Sequence, residues 1–416
     1  MPPFQLHLTA MAHGGEAIGR HEGKVVFVPY AIPGEEVLVE VVEERRRYAR
    51  ARPVEILSPS PHRIEPPCPH FGHCGGCHWQ HIAYQAQLDY KRRILCDQLA
   101  RIGGLPEAAV RPTIPSPSPW HYRNHIQFSV AEDGGLGFRA ARSHRVVPIG
   151  ECHILHPLLE ELLVALDLEL PGLRRLSLRA GVNTGDRMVI FETEDDEPPA
   201  LEADMPVSCV LLLSDGTPVN LVGSNHIVEE VAGRRFRISA VSFFQVNTPV
   251  AERLIELAAD YLDLRGDEVL LDAYCGVGTF GLSLAERVGQ VIGIEENPFA
   301  VADANFNAGE LENVTLIEGR VEDVLPDLEE RIDAAILDPP RVGCEPEALQ
   351  ALAELGPQRI VYVSCDPATL ARDVRRLGDA GYVLVEAQPI DMFPQTYHLE
   401  SVALLRRAGS ENGTPG

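Results

Sequence analysis

Lysine is nearly missing from this chain of 416 residues: Lys24 and Lys91 are the whole supply, and arginine carries the remaining positive charge. That bias reflects genome composition as readily as recognition. Long apolar runs are missing too, and no stretch approaches the ~18 residues of a membrane span, which excludes a helical integral membrane protein. Met1 to Gly15 has neither a charged leader nor an apolar run, so no secretory signal is expected. Nine cysteines, an odd number without an export signal, argue for reduced thiols or metal ligands in a cytoplasmic protein. The length and the 45% hydrophobic content suit two or three domains with sizeable cores.

The net charge of -25 argues at first against a nucleic-acid partner. Its distribution argues the other way. Residues 1–152 hold 17 Arg/Lys against 15 Asp/Glu, whereas residues 153–416 hold 19 against 46. Basic clusters fall in the first third: Arg45 to Arg47 with Arg50 and Arg52, Lys91 to Arg93, and Arg139, Arg142 and Arg145. Each is either a solvated face or an RNA contact.

From Phe4 to Leu57 the text is short alternating strands with glycine punctuation, namely Leu6 to Leu8, Lys24 to Val28, Glu36 to Val42 and Ala51 to Leu57. This predicts a small β-barrel over residues 1–60. Gly14 to Gly19, Gly23 to Val28, Pro33 to Glu35 and the trailing Arg-rich strand resemble the TRAM domain, an RNA-binding barrel attached to RNA-modifying enzymes.

A Ser/Pro linker then leads to Cys68, Cys74 and Cys77, whose spacing presents three sulfurs to one metal centre. The fourth ligand is not local, and Cys152 is the preferred candidate. Zinc and an iron–sulfur cluster both accept four thiolates, and His70, His73 or His78 could substitute in a zinc site. Ile82 to Ile102 reads as an amphipathic helix stopped by Gly103 and Gly104, one that could pack on the catalytic part. The rest of residues 61–240 reads as a central α+β domain, with strands at His125 to Val130, Met188 to Thr193 and Val207 to Leu213, turns at Asp133 and Asp215, and a solvated acidic loop from Glu192 to Glu197.

Residues 241–408 change pattern. A helix from Pro249 to Leu264 precedes strands at Glu268 to Asp272, Gln290 to Glu295, Val314 to Ile317, Ala334 to Asp338 and Arg359 to Ser364. Alternation with helix-length segments predicts a doubly wound, mostly parallel α/β sheet. Tyr382 to Ala387 and Ser401 to Arg406 fit an antiparallel hairpin at its edge. Residues 409–416 read as a disordered tail.

The chemistry collects at strand ends. Gly276, Gly278 and Gly281 follow the first strand and let the backbone approach a nucleotide, while Glu295, ending the second, can accept from ribose hydroxyls. The glycine pattern alone suits a nicotinamide dehydrogenase as well as an S-adenosylmethionine enzyme. Asp272 and the rigid Asp338-Pro-Pro-Arg341 turn favour the methyl donor. Cys365 ends the Ile360 to Ser364 run; the ordinary reading of a single cysteine is a buried thiol, but a thiolate there could add to carbon 6 of a uracil and activate carbon 5. Loss of the carbon-5 proton then needs a base, for which Glu400 and His398 are candidates.

Ser364 to Pro367, Met392 to Thr396 with His398 and Glu400, Asp338 to Arg341, and Ser242 to Asn247 together resemble the RNA uracil-5-methyltransferase family over nearly the whole chain. The resemblance implies a Rossmann-like methyltransferase domain in which Cys365 is the nucleophile and Glu400 the base. It sets Gln245, Tyr274, Gly276, Glu295 and Asp338 around S-adenosylmethionine, with Gln245 also near the target base. It makes Cys68, Cys74, Cys77 and Cys152 ligands of a [4Fe-4S] cluster and points to 23S rRNA before tRNA as the partner. Asp366 stands where that family usually has Asn, setting a negative charge beside the nucleophile, and Tyr397 where it often has His. Two rivals are a 5-methylcytidine enzyme, which would use a cysteine after the fourth strand, where Cys344 lies close, and a non-catalytic RNA-binding iron–sulfur scaffold.

Overall fold

A computed structural model of the chain describes residues 2–131, 134–166, 172–198, 201 and 205–409. The expected turn residue Asp133 and nearly all of the expected tail lie outside the described residues. Strands β1 (Phe4–Met11), β2 (Ala17–His21), β3 (Lys24–Val28), β4 (Glu36–Glu44) and β5 (Tyr48–Ser58) close into a barrel in the order β1-β2-β3-β5-β4. Strict alternation drives the closure, since Leu6 and Leu8, Val26 and Val28, and Val37 and Val39 all point inward to one small core.

The 18-residue helix α1 (Tyr84–Arg101) follows the cysteine loop. Its Leu95 and Leu99 are buried against the carboxyl-terminal sheet, not against the barrel. A second sheet contains β6 (His125–Val130), β7 (Leu136–Arg139), β8 (Val146–Pro148), β9 (Leu173–Ala180), β10 (Arg187–Thr193), β11 (Ser208–Leu212) and β12 (Pro218–Val222), ordered β12-β11-β10-β9-β6-β7-β8. One of its faces packs on helix α2 (Pro157–Ala165) through Leu159 and Leu162.

The hairpin of β13 (His226–Val231) and β14 (Arg234–Ser239) buries Ile227, Val231, Phe236 and Ile238 in the same core as helix α3 (Thr248–Leu262). A boundary drawn at 240/241 therefore cuts through a packed unit. The hairpin belongs by its contacts to the catalytic side.

The last sheet is built from β15 (Val269–Ala273), β16 (Gln290–Glu295), β17 (Val314–Glu318), β18 (Ala334–Leu337), β19 (Arg359–Ser364), β20 (Tyr382–Ile390) and β21 (Glu400–Arg407), ordered β17-β16-β15-β18-β19-β21-β20. Five parallel strands make the doubly wound core. Adjacent residues on one strand serve opposite faces: Leu270, Ile336 and Val361 join the core of α3, α4 (Gly281–Leu284) and α5 (Pro298–Ala308). Their neighbours Leu271, Leu337 and Ile360 pack with α1, α6 (Val321–Val324), α7 (Pro346–Leu355) and α8 (Pro367–Asp379). The last two strands are antiparallel, but β21 is inserted between β19 and β20, so the expected edge hairpin has an interior member. Among the described residues no helix is long and apolar enough to cross a membrane.

Candidate active site

The sequence Ser-Cys-Asp-Pro sets the geometry of the nucleophile candidate. β19 ends at Ser364, Pro367 occupies the first turn of α8, and Asp366 caps that helix, its Oδ1 accepting from the Ala368 and Thr369 N–H groups at 2.9 and 3.0 Å. Cys365 is held between strand and cap, half-buried. The carboxylate that would oppose a thiolate is committed to the helix on one oxygen, and its other oxygen faces His13 Nε2 at 3.3 Å. Burial pushes the Asp366 carboxyl upward, but the His13 and backbone hydrogen bonds outweigh it and bring the group down to about 2.

Glu400 begins β21, whose register pairs Ser401 with Ser364 of β19 and Glu400 with Ile390 of β20. One step beyond the β19 pairing lies Cys365, so the two candidate groups are neighbours across the ladder. Glu400 is 3% exposed. Burial raises its carboxyl well above the ordinary range, Asp338 raises it further, and Arg341 offsets part of this. Burial likewise pushes the Cys365 thiol up to about 12, with Glu400 adding to the rise, Arg341 opposing it, and Asp338 and Asp366 contributing further.

The parallel pairing of β15 with β16 and β18 brings the glycine loop, Glu295 and Asp338 to one end of the sheet. Gly276 and Gly278 adopt φ values of 56° and 89°, the left-handed region that favours glycine, and Tyr274 is forced there too at 65°. Glu295 accepts from the Gly276 N–H at 2.9 Å and the Asn297 N–H at 2.8 Å, which fixes its carboxylate under the loop. Gln245, 7% exposed, donates to Asp338 at 3.4 Å, and its own loop is pinned by Asn124, which donates to the Gln245 carbonyl at 3.1 Å. Tyr274 contributes its backbone turn, while its hydroxyl lies against Cys344, and burial raises it far above its usual value.

The carboxyls at these strand ends raise one another's proton affinity. Burial raises Asp338 to about 7, and Asp272 adds to the rise. Burial also raises Asp272 to about 7; the Gly281 N–H opposes this and Glu295 reinforces it, and Asp272 Oδ1 has no hydrogen-bond partner among the described residues. Asp338 in turn raises Glu400, so added negative charge is unfavourable at these strand ends. A sulfonium cation relieves this, whereas the pyrophosphate of a dinucleotide aggravates it. The residues present therefore fit S-adenosylmethionine.

His398, the other base candidate, sits in an aromatic cluster with Tyr397 at 4.4 Å and His78 at 6.2 Å between ring centroids. Burial, helped by Arg341, lowers it to about 3, so its imidazole is neutral and weakly basic. Cys344 is no alternative nucleophile. It is 3% exposed, its thiol lies 3.5 Å from the Tyr362 hydroxyl, and it belongs to the core under α7 and α8.

Cys68, Cys74, Cys77 and Cys152 line one cavity of about 300 Å³, walled by Phe71, Ile126 and Phe138. Cys152 thus joins the three local cysteines across the second sheet. Burial raises Cys77 to about 12 and Cys152 to about 11, with the other sulfurs of the group contributing. Among the described residues no three His, Cys, Asp or Glu side chains converge as one metal ion requires. Of the histidines considered as substitutes, His70 lines this cavity, while His73 and His78 line a neighbouring groove.

That groove, of about 860 Å³, runs between Gly14 to Glu16 of the barrel, the cysteine loop, the Arg139, Arg142 and Arg145 cluster, and Tyr397. Of the basic clusters, Arg139, Arg142 and Arg145 line this groove and Arg45 to Arg47 are exposed, while Arg50 and Arg142 are also paired with Glu16. In the third, Arg92 and Arg93 are exposed and only Lys91 is withdrawn from the surface. Lys91 is fully buried and paired with Asp391, and Arg92 donates to the Val110 carbonyl at 2.9 Å. Its signal was present: Lys91 stands on the stripe of α1 that holds Leu88, Ile94 and Leu95.

A doubly wound sheet with a glycine loop and carboxyls at its strand ends, and an OB-like barrel at the amino terminus, define a methyltransferase fold joined to an RNA-binding module. A family model described as tRNA (Uracil-5-)-methyltransferase matches residues 220–408, and a TRAM domain model matches residues 6–54. A Halalkalibacterium halodurans protein described as an uncharacterized RNA methyltransferase is 38% identical over 96% of each chain. One from Streptomyces avermitilis, described in the same words, is 39% identical over 97% of this chain and 98% of its own. The solved structure of Pyrococcus abyssi tRNA (uracil-54, C5)-methyltransferase in complex with S-adenosyl-L-homocysteine is 31% identical, with a TM-score of 0.76 over 97% of this chain and 100% of that one. The chain belongs to the RNA uracil-5-methyltransferase family.

Proposed function

We propose that this protein transfers a methyl group from S-adenosylmethionine to carbon 5 of a uridine in RNA through a covalent adduct of Cys365 with carbon 6. The observation that supports it is the antiparallel register that pairs Ser364 with Ser401, which carries Cys365 and Glu400 one residue beyond it at the same end of the sheet. The uridine leaves its stack to reach the strand ends. Cys365 releases its proton to solvent, the thiolate sulfur bonds to carbon 6, and the enolate so formed takes the methyl at carbon 5 from the sulfonium, which departs as a thioether. Glu400 then removes the carbon-5 proton, the carbon–sulfur bond breaks, and the ring double bond returns with the thiolate released.

In the free protein burial raises the proton affinity of both Cys365 and Glu400. A sulfonium beside them favours the ionised forms of both. Glu400 suits the base's task better than His398, because a carboxylate with a raised proton affinity is a stronger acceptor than an imidazole held near 3. Gln245, Gly276, Glu295 and Asp338 bind the methyl donor, and Tyr274 shapes the turn beneath it. Cys68, Cys74, Cys77 and Cys152 hold a [4Fe-4S] cluster, which has a structural or RNA-positioning role because methyl transfer consumes no electrons.

We assign 23S rRNA as the first substrate, on the likeness of the four-cysteine set to the ribosomal RNA branch, and the cytoplasm as the place of action. A tRNA uridine is the second reading, favoured by the full-length match to the Pyrococcus abyssi tRNA enzyme. Incubation with S-adenosylmethionine and 5-fluorouridine versions of each RNA decides between them, because fluorine leaves no proton to remove and the adduct persists. A stable complex with wild type and none with Cys365→Ala is expected. No complex with either RNA, or one that survives the substitution, refutes the mechanism.

A further inference from the structure

The loop between β1 and β2 leaves the barrel and meets the catalytic strand ends. Gly15, at a φ of 83°, packs so tightly that an added Cβ would lie 2.7 Å from Tyr397 Cβ, and Trp79 Nε1 donates to its carbonyl at 3.1 Å. Glu16 holds Arg50 and accepts from Arg142 at 2.9 Å. The loop is therefore clamped on both sides, and the residue it presents to the nucleophile's neighbour is His13.

We propose that His13 is a positioning residue for Cys365, supplied by the RNA-binding barrel: by donating to Asp366 Oδ2 it keeps that carboxylate turned toward the helix and the barrel and away from the thiol. The proposal rests on Cys365 being the nucleophile. Charged groups face that thiol from every side, Glu400 from β21, Asp338 and Arg341 from the turn after β18, and Asp366 from the cap of α8. Asp366 is the one next to it in the chain and the one steered by a residue of the barrel. Asp366 Oδ1 is already committed to Ala368 and Thr369, so the placement of Oδ2 decides how much charge the thiol feels. Because Gly14 to Glu16 also wall the basic groove, the same loop touches the RNA path and the nucleophile's neighbour.

The test compares the full-length wild type with His13→Ala, His13→Gln, Asp366→Asn and His13→Ala/Asp366→Asn. Iodoacetamide alkylation of the Cys365 peptide is followed by mass spectrometry from neutral to alkaline pH, and adduct formation with 5-fluorouridine RNA is measured in parallel. His13→Ala is expected to slow alkylation at neutral pH about three- to tenfold and to displace the profile upward by about half to one pH unit. His13→Gln, whose amide still donates, restores part of the rate. In the Asp366→Asn background the His13 substitution has no further effect. Superimposable profiles for His13→Ala and wild type overturn the proposal. So does an equal slowing with and without Asp366, which assigns His13 to barrel docking alone. A wild type whose Cys365 neither alkylates nor forms adduct overturns the nucleophile assignment instead, a result that involves no His13 variant.

Discussion

Lys91→Met should be among the most destabilising single substitutions in the molecule. Lys91 and Asp391 are both fully buried, and the pair joins α1 to the segment that leads into Glu400. Lys91 Nζ also donates to the Phe393 carbonyl at 3.0 Å and lies 5.8 Å from the centre of the Trp79 ring. Burial lowers the lysine's proton affinity and Asp391 opposes that fall, so its charge is maintained by the partner. Removing the ammonium strands a carboxylate whose Oδ2 already has no hydrogen-bond partner among the described residues. Breaking such a pair from one side costs about 3–5 kcal/mol, whereas replacing both members with apolar groups of similar volume is close to neutral. Urea unfolding of Lys91→Met, Asp391→Leu and the double variant measures the coupling directly. The double variant should recover most of the stability lost by either single one. It should not recover turnover, because the Phe393 to His398 segment loses the tether that sets the start of β21. A Lys91→Met loss under about 1 kcal/mol, or additive losses in the double variant, refutes the reasoning.

Glu400→Gln on ordinary RNA should accumulate the covalent intermediate and lower turnover about 10²- to 10⁴-fold, read on denaturing gels and by methyl incorporation; undiminished turnover assigns the base elsewhere. Because burial raises both Cys365 and Glu400 and both act deprotonated, methylation should speed up as pH rises from neutral into the alkaline range, and a flat or falling profile contradicts the assignment. Anaerobic reconstitution should load about four irons and matching sulfide per chain, and Cys77→Ala should abolish the visible absorbance; stoichiometric zinc with no sulfide would replace the cluster with a single-ion site. Arg139→Ala and Arg145→Ala should each weaken RNA binding and reduce the slope of log affinity against log salt by about one, and an unchanged slope removes that arginine from the RNA path.

Legibility followed burial pattern. β16 and β19 were readable to the residue because strands covered on both faces are written as unbroken apolar, β-branched runs. β9 was not, since Arg174, Arg175 and Arg179 interrupt it, and only the fold reveals that Arg179 is buried and donates to the Ser239 carbonyl at 3.0 Å. The hairpin β13–β14 hides in the same way, behind arginines that alternate with the buried face of β14 and a glutamate, Glu229, that lies on the buried face of β13. At the site, Cys365 and the glycine loop announced themselves by position at strand ends. The pairing of Cys365 with Glu400 needed the register of β21, and His13 carried no signal, as its meaning comes from a contact between distant parts of the chain. Asp366 read as a liability from sequence and became a helix cap in the structure.

The insertion of β21 between β19 and β20 makes the reaction centre a matter of counting. Cys365 leaves its strand at one end and Glu400 enters its own at the same end, because the two strands run in opposite directions. Their separation is held by six consecutive cross-strand pairs, from Arg359 with Arg406 to Ser364 with Ser401. A slip of one residue in that ladder would turn Glu400 to the opposite face and leave the thiol with no partner, without altering either residue. An insertion or deletion within β21 would therefore silence the enzyme even with both residues unchanged.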